Sequence, residues 1–341
     1  MDYTVIILGR LEYANVRSVQ QATKVIAHLL ETRYKNEVLY RDATELLDEE
    51  LCTLIAPREK FQCSEKVWSN TIHLLAKATE FSIAGDLHMW KILDGTLQEY
   101  ICLEPDSDKS TVQSFRQGRE LIDEGKLEEA KKLLTKAVSR FPRHAQALER
   151  RGFIHYTQGD TEAAMADYAA SIEIDTKRPD AYLGRARVLV NQENWSAAIE
   201  DLTQAMKHSM PHHNVYLEAL HRKAKSLMEM GQYDKAIPLF NFFLSRPLQD
   251  DHPQFPFRRQ VAFDKGRTLA AAGKLDDAIK MFDEALNMPT NDGKPDQGEI
   301  LLHRGLAFQQ SGKSGFLEDW KKAADEGSER AAELLAEKLE P

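Results

Sequence analysis

Cysteine is scarce in this chain: three in 341 residues, Cys52, Cys63 and Cys102, all in the first third. Their number is odd and their spacing fits no CxxC or other metal-ligand pattern. Neither a disulfide framework nor a zinc site is therefore indicated, and free thiols in a reducing compartment are expected. Long apolar runs are missing as well, and nothing approaches the roughly 20 residues of a membrane span. The run Thr4–Leu8 is short and follows acidic Asp2, so no secretory signal is expected. Positive charge is in deficit, with 45 Lys+Arg against 54 Asp+Glu and a net charge of −9. That sign opposes nucleic-acid binding, which needs a basic field to displace counterions. The deficit is uneven, because residues 1–110 hold 12 basic and 18 acidic side chains. A soluble, cytoplasmic protein without nucleic-acid or membrane partners is expected.

Signatures of catalysis are equally thin. Leu8-Gly9-Arg10-Leu11 follows a predicted strand but has neither GxGxxG nor a Lys-Ser/Thr ending, so Gly9 reads as a turn and not as part of a phosphate loop. His73, in a predicted helix, and His88, in a predicted strand, have no partner at ligand or triad spacing and read as structural. Cys63 precedes Ser64-Glu65 at a predicted helix start, where a thiolate would be favoured, yet no residue is placed to act as its base. Asp48, Glu49 and Glu50 are consecutive, and neighbours on a helix point in different directions, so they read as a solvated face. No catalytic residue, metal ligand or cofactor is assigned.

What is present is a repeat. Gly118, Gly152, Ala186, Ala224, Gly266 and Gly305 each sit inside an apolar helical pattern, separated by 34, 34, 38, 42 and 39 residues. Twelve residues after the first five stand Ala130, Ala164, Ala198, Ala236 and Ala278. Four residues on come Leu134, Tyr168, Leu202, Phe240 and Phe282, and three further Ala137, Ser171, Ala205, Phe243 and Ala285. Small residues where two antiparallel helices cross let the backbones approach, and the bulky residue fills the gap beside them. Glycine ends the first helix at Gly125, Gly159, Gly231 and Gly273; in the third unit, Gln192-Glu193-Asn194, the left-handed residue is expected to be Asn194. Proline closes second helices at Pro142, Pro179, Pro211, Pro247 and Pro289.

Period, small residues, turn glycine and closing proline together resemble the tetratricopeptide repeat (TPR) family over residues 111–325. The resemblance implies a mainly α protein, a right-handed TPR superhelix (α-solenoid) of about six hairpins. The sixth is the most degenerate, with Leu317 in place of the expected alanine. Ser328 is read as the cap of a C-terminal solvating helix over 326–341, with Ala332, Leu335 and Leu339 on its apolar side.

The first 110 residues lack the repeat and read as a small α+β domain over 1–104, followed by a polar linker over 105–110. Strands are expected at Tyr3–Leu8, Glu37–Tyr40, Phe81–Ala84, Leu87–Leu93 and Leu97–Leu103, with a hairpin at Asp94-Gly95. Helices are expected at Ser18–Thr32, Thr44–Ile55 and Glu65–Thr79.

The family resemblance implies that first helices line a concave groove. The residues just after the aligned small ones include Arg119, Phe153, Arg187, Lys225 and Arg267; one turn earlier stand Glu149, His221 and Phe263. This row offers charge-assisted hydrogen bonds to carboxylates with aromatic contact beside them. The expected function is a protein–protein interaction scaffold that binds an acidic peptide or partner. The competing arrangement has the cations paired with Glu149, Asp180, Glu218 and Asp264. The asparagines of the carboxylate clamp used by some family members are not reproduced. The alternative function is an enzyme or ligand sensor in the N-terminal domain with the array as its targeting arm. Self-association is a further outcome that open repeat faces or a sheet edge allow.

Overall fold

Val5, Ile7 and Leu11 alternate with half-exposed neighbours in β1 (Asp2–Glu12), as a strand with one buried face requires. The computed structural model describes residues 2–35, 37–42, 45–211, 213–290 and 293–339. In it β1 is flanked by antiparallel β3 (Thr53–Ser64) and antiparallel β4 (Ala84–Leu93). With β2 (Leu47–Asp48) and β5 (Thr96–Leu103) the sheet order is β2-β3-β1-β4-β5, antiparallel throughout. Helices α1 (Val16–Leu29), continued by a π-helical turn over Leu30–Tyr34, and α2 (Glu65–Thr79) supply Val19, Ala22, Trp68, Leu74 and Leu75 to the core under Val5, Ile7 and Leu11. The order βαββαβ with β1 central is the split-βαβ plan, extended here by β5.

Several expectations for this region need correction. Glu37–Tyr40 is a bend, and the helix expected over Thr44–Ile55 is absent from its described part. That stretch enters β3 instead, with Thr44 outside the described residues. Pro57 and the exposed Arg58–Lys60 interrupt the apolar alternation of β3 at its bulge opposite Ile7 and Gly9, which hides the strand from pattern reading. Gly9 is inside β1, not at a turn. A Cβ on it would lie 2.2 Å from the Asp86 carbonyl oxygen, so the glycine lets β1 and β4 close up.

The repeats form six helical hairpins: α3 (Ser110–Asp123) with α4 (Leu127–Arg140), α5 (Ala145–Thr157) with α6 (Thr161–Ile174), α7 (Pro179–Asn191) with α8 (Trp195–His208), α9 (Asn214–Glu229) with α10 (Tyr233–Leu244), α11 (Arg258–Ala271) with α12 (Leu275–Leu286), and α13 (Gln297–Gln310) with α14 (Phe316–Asp325). Helix α15 (Glu329–Leu339) follows, its N-terminus capped by the Ser328 hydroxyl, which accepts from the Ala331 amide. It buries Ala331 and Leu334 and leaves Ala332 exposed, a rotation from the apolar side read in the sequence.

Small residues on first helices meet the bulky residue of the second helix. A Cβ on Gly118 would lie 3.0 Å from Leu134, on Gly152 3.1 Å from Tyr168, and on Gly266 2.6 Å from Phe282. The sixth hairpin does the same by another register. Its partner for Gly305 is Trp320, fifteen residues on, while Leu317 is exposed. A five-residue turn over 311–315, with Gly312 and Gly315 both at positive φ, delays the start of α14. In the third hairpin the left-handed residue is Glu193 (φ +56°); Asn194 instead caps α8 by accepting from the Ala197 amide. A non-glycine residue there costs about 1 kcal/mol.

The chain divides into two compact units, Met1–Gly184 and Arg185–Pro341. The first holds the sheet and two hairpins; its hairpin core is Phe115, Ala130, Leu134, Ala137, Ala147 and Ile154. The second has cores centred on Phe240 and Phe243, on Phe263 and Phe282, and on Trp320 with Leu334.

Candidate peptide-binding surface

The predicted row divides between the two units. In Met1–Gly184, Arg119 does not stand free. Its guanidinium donates from Nη1 to both Glu104 oxygens at 2.6 and 2.8 Å and lies 5.6 Å from the Phe115 ring centre. Glu149 is buried, with the Arg150 Nε 3.3 Å away, and Phe153 is half-buried.

In Arg185–Pro341, Arg187 is spent on Glu218 through two bonds of 2.7 and 2.9 Å, and Arg222 adds a third at 2.8 Å. Burial raises the Glu218 carboxyl, but the Arg187 bonds and both guanidinium charges outweigh it and hold the group below its ordinary value. His221 Nε2 lies 2.8 Å from Asp264, whose other oxygen accepts from Gln260 at 3.0 Å. Phe263 is 0% exposed and packs against Phe282 and His303. The expectation that it offers an aromatic face to a ligand is therefore corrected: at the helix crossing it is worth more as core.

Two cations of the row differ from the others. Lys225 on α9 is exposed, and Arg267 on α11 is half-buried, 5.9 Å from the Phe263 ring centre. Neither makes an ion pair or hydrogen bond among the described residues. Next along the row, Leu302 and Leu306 of α13 are half-exposed. Burial, with the Arg267 charge second, lowers His303 to about 4, so it is neutral at pH 7 and adds no charge. The first helices α9, α11 and α13 thus carry two uncommitted cations beside apolar side chains.

A second polar cluster is the strongest candidate for chemistry in the N-terminal part, and each of its side chains has a partner, although the Arg178 Nε makes no hydrogen bond. Asp86 of β4 accepts from Gln146 Nε2 at 2.7 Å and from Arg178 Nη1 at 3.2 Å, with His88 Nε2 at 3.6 Å. Gln146 Oε1 in turn accepts from the Gly85 amide at 2.9 Å. His88 Nδ1 is 2.7 Å from the Tyr100 hydroxyl. Burial opposes the Asp86 charge, yet Arg178, His88 and Gln146 together hold its carboxyl well below the carboxylate range and keep His88 protonated. Nearby, Glu12 receives Arg10 and Arg143, each at 2.6 Å. Gln146 and Arg178 are 60 and 92 residues from Asp86, so no local motif announces the cluster. His73 bonds to the Tyr34 hydroxyl. Cys63 is buried, and burial pushes its thiol up, away from the thiolate a nucleophile needs.

One recurring pair was legible but unread. The arginine just before the aligned small residue and the aspartate just before the bulky one join as Arg151–Asp167, Arg185–Asp201 and Arg304–Asp319, each a two-bond bridge of 2.6 to 2.8 Å. The dipeptides Arg151-Gly152, Arg185-Ala186 and Arg304-Gly305 were its signal. Each bridge locks first helix to second beside the crossing.

Known proteins agree with this architecture. Residues 104–237 match the family described as tetratricopeptide repeat protein 21 N-terminal ARM repeat, and residues 221–297 and 263–314 match the tetratricopeptide repeat family. Among solved structures, YrrB, a TPR protein with an unusual peptide-binding site, is 21% identical over 60% of this chain and 98% of its own (TM-score 0.49). PilF of Pseudomonas aeruginosa is 17% identical over 67% of this chain and 98% of its own (TM-score 0.52). PilW, a type IV pilus biogenesis factor, is 17% identical over 67% and 100% (TM-score 0.52). The last two show the shared helical-hairpin fold. No curated protein matches the sequence. Among the described residues no helix is long and apolar enough to cross a membrane.

Proposed function

This chain is a tetratricopeptide-repeat protein, and from that premise we propose that it is a scaffold that captures an acidic peptide segment of a partner protein along the first helices α9, α11 and α13. The observation that carries this reading is the pair Lys225 and Arg267. In a row whose other cations are spent on Glu104 and Glu218, these two keep their hydrogen-bonding capacity. Leu302 and Leu306 give an apolar side chain of the same peptide something to rest on. The N-terminal sheet serves as a structural element, not a catalytic one: its histidines and carboxylates at Asp86 and Glu12 are tied to neighbours.

A fluorescein-labelled peptide of alternating glutamate and leucine binds the full chain with an affinity that falls as salt rises. Lys225→Ala with Arg267→Ala weakens it about tenfold, the worth of two partly exposed charge pairs. Arg119→Ala leaves it unchanged. Equal anisotropy titrations for wild type and the double variant would sink the proposal.

A further inference from the structure

Of the three cysteines, Cys63 is buried and Cys52 is half-buried, its thiol donating to the Glu49 carbonyl at 3.5 Å; Cys102 alone is exposed. It lies on β5, which forms one edge of the sheet, so a molecule in solution can approach the sulfur. Its partner across the ladder is His88 of β4. Residues directly opposite in an antiparallel pair share one face, with Cβ atoms roughly 5 Å apart. Here the Cys102 thiol comes into hydrogen-bond contact with the His88 imidazole.

The imidazole is both fixed and charged. Its ring stacks on Trp90 and on Tyr100, with centroids 5.8 and 6.0 Å away. Nδ1 is 2.7 Å from the Tyr100 hydroxyl, and Nε2 is 3.6 Å from Asp86. Burial lowers the pKa of His88, but the charge and hydrogen bond of Asp86, with Cys102 beside them, outweigh it and raise it to about 12. Asp86 does not use up that charge, because Arg178 draws on the same carboxylate at 3.2 Å. Glu104, two residues along the chain, would oppose a negative sulfur, but both its oxygens accept from Arg119, whose own charge reaches Cys102. A nucleophile touching an imidazole that a carboxylate in turn holds is the arrangement that activates a thiol.

We infer that Cys102 is a modification site: facing the His88 imidazolium, its thiolate exchanges with small disulfides of the oxidised-glutathione class and keeps one half as a mixed disulfide. The Cys102 sulfur forms a bond to one sulfur of the reagent while the reagent's own S–S bond breaks. The other half leaves with the electron pair as a thiolate, and the proton it takes up balances the one the Cys102 thiol gave. The reagent is the oxidant, and its leaving half is the reduced product. A cation in contact with the attacking sulfur favours the reactive form. The exchange happens once per chain without turnover, so the sheet keeps its structural role.

The test is exchange of the full chain with dithiodipyridine, a neutral disulfide whose released thiopyridone is followed by absorbance, with peptide mapping to locate the adduct. The first adduct forms on Cys102, about tenfold faster than on a free peptide of the β5 sequence Thr96–Leu103, and His88→Gln slows it about tenfold. The free peptide is as exposed as a thiol can be, so a faster rate in the folded chain measures activation and not access. Cys102→Ser loses the fast phase, and glutathione disulfide marks the same residue. A first adduct on Cys52 or Cys63 overturns the inference. So does a Cys102 rate no greater than the peptide's, or one that His88→Gln leaves unchanged. Should His88→Gln not fold, the comparison of wild type with the peptide decides alone.

Discussion

Asp86→Ala destabilises the unit Met1–Gly184 by about 3–5 kcal/mol, the usual consequence of removing one partner from a buried charge cluster. The loss arises from what remains. Arg178, with its side chain 9% exposed, is left without its carboxylate, and Gln146 Nε2 loses its acceptor. Denaturant unfolding of the full chain, followed through Trp68 of α2 and Trp90 of β4, reads the effect. The pH profile identifies its cause. Asp86 titrates below the ordinary carboxylate value in the folded chain, so its contribution is present above about pH 4 and is lost as pH falls. His88 is raised, so its contribution is full below about pH 6.5 and declines as pH rises toward its folded value. The difference between wild type and variant is thus largest between about pH 4 and 6.5. His144, lowered to about 3 mainly by burial, adds an acid loss from about pH 6.5 downward. It does so in both proteins, but in Asp86→Ala the carboxylate charge that raises His144 is gone, so there the loss runs on to lower pH. A difference that does not shrink below pH 4 would rule out the ion cluster as the cause.

The second large effect is steric. Tyr168 is fully buried, and its ring fills the space over two glycines: a Cβ would stand 3.1 Å from it at Gly152 and 2.3 Å at Gly184. Tyr168→Ala leaves a cavity between the second hairpin and the start of α7 and costs about 3–5 kcal/mol. Gly184→Ala intrudes on the same ring and costs about 1–3 kcal/mol by overpacking. Because each change relieves the other's geometry, the double variant is less destabilised than the two singles summed, by about 1 kcal/mol or more. Strict additivity in a double-mutant cycle would show that the ring and Gly184 are not packed as described.

How much of this was legible follows from the range of the interactions. The hairpin array was readable because its information is local and repeated: Gly152 and Tyr168 are on adjacent helices, and the same offset recurs in other units. Helix α2 was read to the residue, since Ser64 caps it and its apolar spacing is helical. Strand β3 was lost because Pro57 and its charged neighbours sit at a bulge, where the period of two breaks. The binding row could be named but not ranked. Whether Arg119 or Arg267 is free depends on where Glu104 and the other carboxylates come to lie. Phe263 illustrates the same limit, since its helical position alone does not reveal that it is sealed between Phe282 and His303.

The central claim is that the first helices of the later repeats are where a partner peptide binds, and amide hydrogen exchange with and without the glutamate–leucine peptide tests it most directly. The account predicts added protection over Asn214–Glu229, Arg258–Ala271 and Gln297–Gln310. Residues 2–103 should exchange unchanged. Protection confined to the sheet, or to the second helices α10, α12 and α14, would contradict it.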